Sequence, residues 1–420
     1  MRKNKDGRFI RHFTNCFIIL TATKFSIKDT KLFEIMADHS YFRLQFSVFS
    51  LVAASFTNIY VTQPVLPVLQ HEFSADMVLV SFSVSAVILG IAISNLPLGF
   101  LADRVPIRPI ILTGGVLVAA GGLVCALTKE LWILIGARFL QGIFIPSLTT
   151  CLAAYLAKTL PVARLNVVMG SYVSATVLGG LCGRLIGGFS HSPLHWRYAF
   201  VSASALTLVA TLTAVLGLPR ATRDTPIQHN PIGLLGLMKR WDFLRIYLCA
   251  AGSFAIFSSV FNYLPYRLTA RPFGFSTERT TLLYLVYVVG IFIGPTAGRL
   301  SNRFGNGNIL IAGSFVLGGA LVLIMIPSIT PVILGLLGTC AGFFTIHAAA
   351  VGSLNRKLST GQGRANALYV LFYYLGGWLG ITGSGIAYKQ GGWSALIFIS
   401  LLLLMIPIGA GVVERKSGHY

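Results

Sequence analysis

"GFLADRVPIRPI" runs from Gly99 to Ile110, and "GRLSNRFGNGNI" runs from Gly298 to Ile309. Each is a short polar stretch between two apolar runs. They share a skeleton at an offset of 199 residues, where Gly99 meets Gly298, Leu101 meets Leu300, Arg104 meets Arg303, Ile110 meets Ile309 and Gly114 meets Gly313. At an offset of 200, Gly142 meets Gly342, Arg164 meets Arg364 and Asn166 meets Asn366. A single match has little weight. An ordered series across several apolar segments marks an internal duplication.

The duplicated unit belongs in a membrane. Of the 420 residues 55% are hydrophobic and 11% charged, and the mean hydropathy is +0.76. Such a chain has too little polar surface to meet water on all sides. A bilayer core roughly 30 Å thick takes about 20 apolar residues per helix. Twelve runs reach that length: 44–66, 78–101, 108–127, 131–154, 165–189, 198–218, 243–267, 279–299, 308–327, 331–353, 364–387 and 394–413. The expectation is an all-α membrane protein of twelve transmembrane helices in two pseudo-symmetric six-helix bundles, 44–218 and 243–413. A polar linker, 219–242, joins them, and 414–420 forms a short tail. Residues 1–43 read as a basic tail. The first 35 residues hold eight Lys/Arg, and Met36 opens "MADHSYFRLQF", so an over-extended translation start is the other reading.

The formal charge of +21 is not a nucleic-acid footprint, because the basic residues sit in the gaps between apolar runs. Counted in alternate gaps from residue 43 onward, 17 Lys/Arg fall on one side and 6 on the other. The positive-inside rule makes the richer side cytoplasmic and, with an even number of spans, puts both termini there. The six cysteines show no CxxC and no Cys/His cluster, so they read as small packing residues rather than metal ligands or disulfides. No phosphate-binding GxxxxGK[ST] occurs, no cofactor is indicated, and no Ser/His/Asp set, HExxH or carboxylate pair lies in the spans. An enzyme is therefore not expected.

The hairpin resembles motif A of the major facilitator superfamily, G-x-L-a-D-R-x-G-R-K-P, between helices 2 and 3. Here Gly99, Leu101, Asp103, Arg104, Arg108 and Pro109 match it, while Pro106 and Ile107 replace its Gly and Arg. The copy after helix 8 keeps Gly298, Leu300, Arg303 and Gly305 but has Asn302 in place of Asp. Arg138, Gln141 and Gly142 are similar to motif B, R-x-x-Q-G. Gly179, Gly183, Gly187 and Gly188 are similar to motif C, G-x-x-x-G-P-x-x-G-G, a mark of the drug/proton antiporter branch, except that Arg184 stands where the motif has Pro. The resemblance spans about residues 40–413. It implies alternating access between two bundles and a monomeric carrier in a bacterial inner membrane. The cargo is expected to be a small organic solute, with proton-linked efflux, and uptake of a sugar, nucleoside or organic anion is the alternative. A non-transporting membrane scaffold or sensor is the reading from another class.

Residue roles follow with their alternatives open. Motif A closes the cytoplasmic side in this family, so Asp103 is a gate residue with Arg364 a candidate partner; otherwise it caps helix 3 and the arginines only set topology. The spacing of Gly179, Gly183 and Gly187, echoed by Gly376, Gly380 and Ser384, suits close helix approach. Within the spans, Arg138, Arg184 and His347 are the clear ionisable groups, which in a membrane are functional hypotheses. The arginines either bond neighbouring carbonyls or give the outer half of the path a positive potential. His347 either titrates with transport or makes a fixed polar contact. Candidate cavity residues are Asn58, Gln63, Asn95, Tyr172, Asn262, Tyr284, Tyr287, Tyr369 and Tyr373, whose rings and amides suit a flat organic solute. All twelve carboxylates fall in gaps or at helix ends, so neutral or anionic amphiphiles fit better than cations. Asp103→Ala is expected to lower transport in vesicles at unchanged membrane abundance; unchanged transport would remove the gate role.

Overall fold

The structure, a computed structural model, describes residues 39–102, 104–160, 162–192, 194–218, 233–358 and 362–417. The basic segment 1–38, most of the linker and Asp103 lie outside them. All regular structure among the described residues is helical. The long apolar helices are α1 Phe42–Glu72, α2 Met77–Leu101, α3 Ile107–Leu127, α4 Leu131–Thr159, α5 Val167–His191, α6 Trp196–Gly217, α7 Trp241–Thr269, α8 Thr277–Phe304, α9 Asn306–Leu323 and α10 Ile329–Arg356. The last continuous segment, Gly363–Lys416, is 54 residues long and contains two crossings. Its helical dihedrals break at Gly391 and Gly392, the latter at φ 64°. Beyond the break the Trp393 indole donates to the Ile324 carbonyl at the end of α9, and Arg415 meets Gly307 at its start. Residues 393–416, α12, therefore run back along α9, and residues 363–390 are α11. The twelve crossings form two six-helix bundles. Internal contacts divide the chain into Met1–Phe46 and Ser47–Tyr420. In the first unit the Phe42 and Phe46 rings stack 6.4 Å apart. The bundle packing lies in the second.

Local chemistry sets the helix ends. Asp76 caps α2 by accepting from the Val78 amide at 2.8 Å. Ser276 accepts from the Arg279 amide at the start of α8. The two copies of the hairpin turn differently: Pro106 enters α3 at φ −56°, whereas Gly305 enters α9 at φ 84°, a conformation open to glycine and costly for other residues. Two spans depart from α geometry. Pro64 has no N–H to offer the Tyr60 carbonyl, and α1 changes there to a 3₁₀ turn, Gln63–Val65. In α8 a 3₁₀ stretch covers Leu283–Val288.

Glycines decide which helices touch. A Cβ at Gly179, Gly183 or Gly187 would fall on the backbone of Ala53, Thr57 or Val61, so α5 lies directly along α1. Gly376 and Gly380 meet Ala251 and Ala255 in the same way, which pairs α11 with α7 as the counterpart in the second half. Gly114 against Ser147 and Gly313 against Thr345 likewise correspond. Gly142 and Gly342 do not: the first meets Val87 of α2 and the second meets Leu317 of α9. Cys125, Cys151, Cys249 and Cys340 are buried as small packing residues, but Cys182 on α5 is exposed.

The halves touch along α2, whose Ile88 approaches Gly377 and whose Asn95 amide donates to the Ala367 carbonyl at 3.5 Å. They touch again between α5 and α8, where Gly188 faces Thr281. Adding a methyl at Gly183 must push α1 away, an overpacking cost of about 1–3 kcal/mol. Gly298, with nothing within 4 Å of its Cβ position, has room. Gly183→Ala is therefore expected to lower the melting temperature of the purified protein by several degrees, whereas Gly298→Ala leaves it nearly unchanged. Equal shifts would contradict the seam.

Candidate functional site

Arg138 on α4 is completely buried. Its Nε donates to the Ser83 carbonyl at 2.8 Å, one terminal nitrogen to the Asn58 carbonyl and Gln141 Oε1 at 2.7 Å, and the other to the Ile59 carbonyl at 2.7 Å. The two α1 carbonyls lie at the end of the regular helix, just before its Pro64 break, where the helix dipole favours a cation. Gln141 also donates to the Val118 carbonyl at 2.8 Å, and Asn58 donates to Thr207 Oγ1 at 2.7 Å. One network thus joins α1, α2, α3, α4 and α6. Arg138 acts as a strut of the first half, with its charge directed at carbonyl dipoles.

Arg184 on α5 sits at the boundary between the halves. It is 1% exposed. Its Nε donates to Gln63 Oε1 at 2.6 Å, and its terminal nitrogens donate to the Gly180 carbonyl at 2.7 Å and the Tyr287 hydroxyl at 2.8 Å. The guanidinium carbon lies 3.9 Å from the Tyr60 ring centroid, 4.0 Å from that of Tyr287 and 5.4 Å from that of Tyr284. Both irregular stretches help to build this setting. The 3₁₀ turn of α1 presents Gln63. The 3₁₀ stretch of α8 eclipses residues three apart, which brings Tyr284 and Tyr287 to the same face.

From Tyr287 a run of aromatic rings crosses the second half. Phe257 lies 5.4 Å from Tyr287 and stacks 4.0 Å from Phe343; Phe254 stacks 3.8 Å from Tyr373. His347 packs against Phe343 at 6.0 Å, and its Nδ1 lies 2.9 Å from the Tyr369 hydroxyl. His347, Tyr172 and Tyr373 are half-buried. Asn58, Gln63, Asn95, Asn262 and Tyr284 reach no open space in this conformation, each being at most 1% exposed. Most of their polar groups are spent on neighbours, as the interior of a membrane protein requires, the Asn262 Oδ1 being the buried exception. Asn262 donates to Ser81 across the halves at 3.1 Å, and the Tyr284 hydroxyl donates to the Phe261 carbonyl at 3.1 Å.

At the basic-rich end, Arg108 donates to the Leu218 carbonyl and so caps α6, while Arg104 and Arg303 are exposed. Arg356 donates to Asn302, the residue that replaces Asp in the second hairpin. Glu414 on α12 accepts from Arg245 at 2.7 Å, from Lys357 at 2.8 Å and from Ser353. At the basic-poor end, Glu72 accepts from Trp196 and Arg197, which closes the first half, and Lys389 pairs with Asp76 at 2.6 Å between the halves. Sequence reasoning did not single out Tyr60, Phe254, Phe257, Phe343 or these carboxylates. The carboxylates had one usable signal: each stands at a helix end in a chain with very few acids.

The comparisons with known proteins match this architecture. The Major Facilitator Superfamily profile covers residues 48–380. The chain belongs to the major facilitator superfamily. It is 28% identical over 400 residues to the inner membrane transport protein YnfM of Escherichia coli K12, covering 94% of this chain and 96% of that one. It is 25% identical over 374 residues to the uncharacterized MFS-type transporter YybF of Bacillus subtilis 168, covering 87% and 92%. Among solved structures, a bacterial homologue of the human lysosomal transporter Spinster, in an inward-facing unoccupied conformation, superposes with a TM-score of 0.75 at 15% identity, covering 91% of this chain and 98% of that one. The protein is a multi-pass membrane transporter of this superfamily.

The Asp76–Lys389 pair can be read by pH. The Lys389 ammonium, and then the Val78 amide, hold the Asp76 carboxyl below its ordinary pKa. A depressed folded-state pKa contributes stability that is full above the ordinary carboxylate value and is lost as pH falls through the folded one. Lys389 is exposed and Asp76 partly so, and the contribution is therefore small. Asp76→Asn is expected to melt slightly below the wild type at pH 7, the gap closing as pH falls below about 4. A gap that keeps its full pH 7 size down to pH 3 would show that the ion pair is not its source.

Proposed function

We propose that this transporter moves neutral or anionic amphiphiles by alternating access, exporting them from a bacterial cytoplasm in exchange for protons. The observation that carries this reading is the makeup of the interface between the halves. Arg184 of the first half meets Tyr287 of the second, the stacked rings and His347 follow behind it within the second half, and among the described residues the carboxylates are confined to helix ends. Rings offer flat apolar contact to an organic solute, and an arginine without a carboxylate repels cations and tolerates anions. The similarity to a transporter named for the inner membrane supports that location, and the asymmetry of Lys and Arg supports cytoplasmic termini. Bundles 44–218 and 243–413 are the moving bodies in this reading, with the carrier acting as a monomer. His347 is the group that would exchange a proton, through its contact with Tyr369.

Flux in proteoliposomes tests this. Vesicles are loaded in parallel with a neutral dye, an aromatic acid and an organic cation, and a pH gradient is then imposed. The first two are expected to cross at least tenfold faster than the third, with the gradient accelerating them. His347→Ala should retain downhill flux and lose the response to the gradient. Flux of the cation alone, or none of any solute, would overturn the proposal. Inward accumulation of the acid would establish uptake in place of export.

A further inference from the structure

Arg184 holds a full positive charge in the membrane interior among neutral partners. Gln63, the Gly180 carbonyl and the Tyr287 hydroxyl use three of its five N–H groups. No carboxylate pairs with it among the described residues. A buried ion of this kind is costly unless paired, and the rings of Tyr60 and Tyr287 compensate it only in part. Of its hydrogen-bond partners, Gln63 and Gly180 belong to the first half and Tyr287 to the second. The bond to Tyr287, the longest of the three and the one made to a hydroxyl rather than a carbonyl oxygen, is thus a tie between the bundles.

We propose that Arg184 receives the carboxylate of an aromatic organic acid, and that the carboxylate displaces Tyr287 from the guanidinium and so unfastens α8 from α5. The inference rests on the transport reading above and names its solute class and its coupling. A carboxylate matches the guanidinium fork with two parallel bonds, and bonds between charged partners are about twice as strong as neutral ones. A phenol hydroxyl offers one neutral acceptor. The exchange therefore favours the anion and leaves Tyr287 free. A ligand that binds only the unfastened state shifts the protein toward it. The apolar part of the acid has a surface prepared for it: half-buried Tyr373 and His347 lead over Phe343 and Phe257 to Tyr287. Arg184 takes the place of the proline of motif C. A proline packs and bends a helix, whereas an arginine can also let go.

The test is calorimetric titration of the purified full chain in detergent micelles with benzoate, and with benzamide as its uncharged counterpart. Benzoate is expected to bind at least tenfold more tightly than benzamide. Tyr287→Phe removes the rival acceptor and should tighten benzoate binding about tenfold, the effect of one hydrogen bond to a charged group. Arg184→Gln should abolish the preference for benzoate. If Arg184→Gln cannot be recovered folded, Tyr287→Phe decides alone, since it removes a single hydroxyl. Benzoate binding that survives Arg184→Gln unchanged, or that weakens in Tyr287→Phe, overturns the proposal, as does absence of benzoate binding by the wild type. Neutral-solute flux without benzoate binding would refute this inference and leave the proposed function standing. Benzoate binding in the expected pattern with no flux of any solute would do the reverse.

Discussion

A guanidinium inside a bilayer has to find its partners within the protein, and the first half of this carrier is arranged around that demand. Arg138 is met by backbone carbonyls of α1 and α2. Arg184 is met by one carbonyl, one amide and the hydroxyl of a tyrosine from the opposite bundle. The break in α1 at Pro64 matters to both, because it ends the regular helix near Asn58 and Ile59 and turns Gln63 toward α5. The same chemical need gives two different results. Around Arg138 the partners are fixed parts of one bundle, and the charge stiffens it. Around Arg184 one partner is shared with the other bundle, and the charge becomes part of the joint between them.

Glycine seams supply the complementary constraint. Hydrocarbon gives helices little reason to associate, so packing contact has to hold them together. The α1–α5 seam at Gly179, Gly183 and Gly187 and the α7–α11 seam at Gly376 and Gly380 bring backbones into direct contact. The Arg184 environment lies on the first seam, with Gly180 beside Tyr60 and Gly188 against Thr281. Position along α5 is therefore set by backbone contact, and the cross-bundle hydrogen bond is placed by it.

The fold was legible because its signals are long and repeated: apolar runs of membrane length, turns between them, and a near copy of one hairpin half a chain later. The last pair of helices was legible too, since Gly391 and Gly392 sit between two apolar runs. The site was legible in its charged members and in part of their surroundings, since Gln63, Tyr284 and Tyr287 meet Arg184 and Tyr369 and Tyr373 meet His347. Arg138, Arg184 and His347 stand out because ionisable residues in spans are rare, but nothing in the sequence says that Arg138 faces carbonyls while Arg184 faces rings. Tyr60, Phe257 and Phe343 could not be told from ordinary packing residues, because an aromatic at a helix interior is common and only its neighbours give it meaning. The amides at 58, 63, 95 and 262 read as lining for a path and are sealed in place. A buried amide and a solute-facing amide have the same sequence and differ only in what stands opposite. The pairing of Gly142 with Gly342 fails for a related reason: a shared position in a repeat does not ensure a shared neighbour.

The two hairpins at the basic-rich end began as copies and no longer turn alike. Pro106 fixes the backbone torsion where the chain enters α3, and Arg108 fastens that corner to the end of α6. Gly305 enters α9 with a positive φ and no atom within 4 Å of where a side chain would start. One corner is a bracket and the other a swivel. The second corner therefore resists residues other than glycine by torsion alone, while the first depends on a hydrogen bond across to α6, so the two copies would fail under mutation for different reasons.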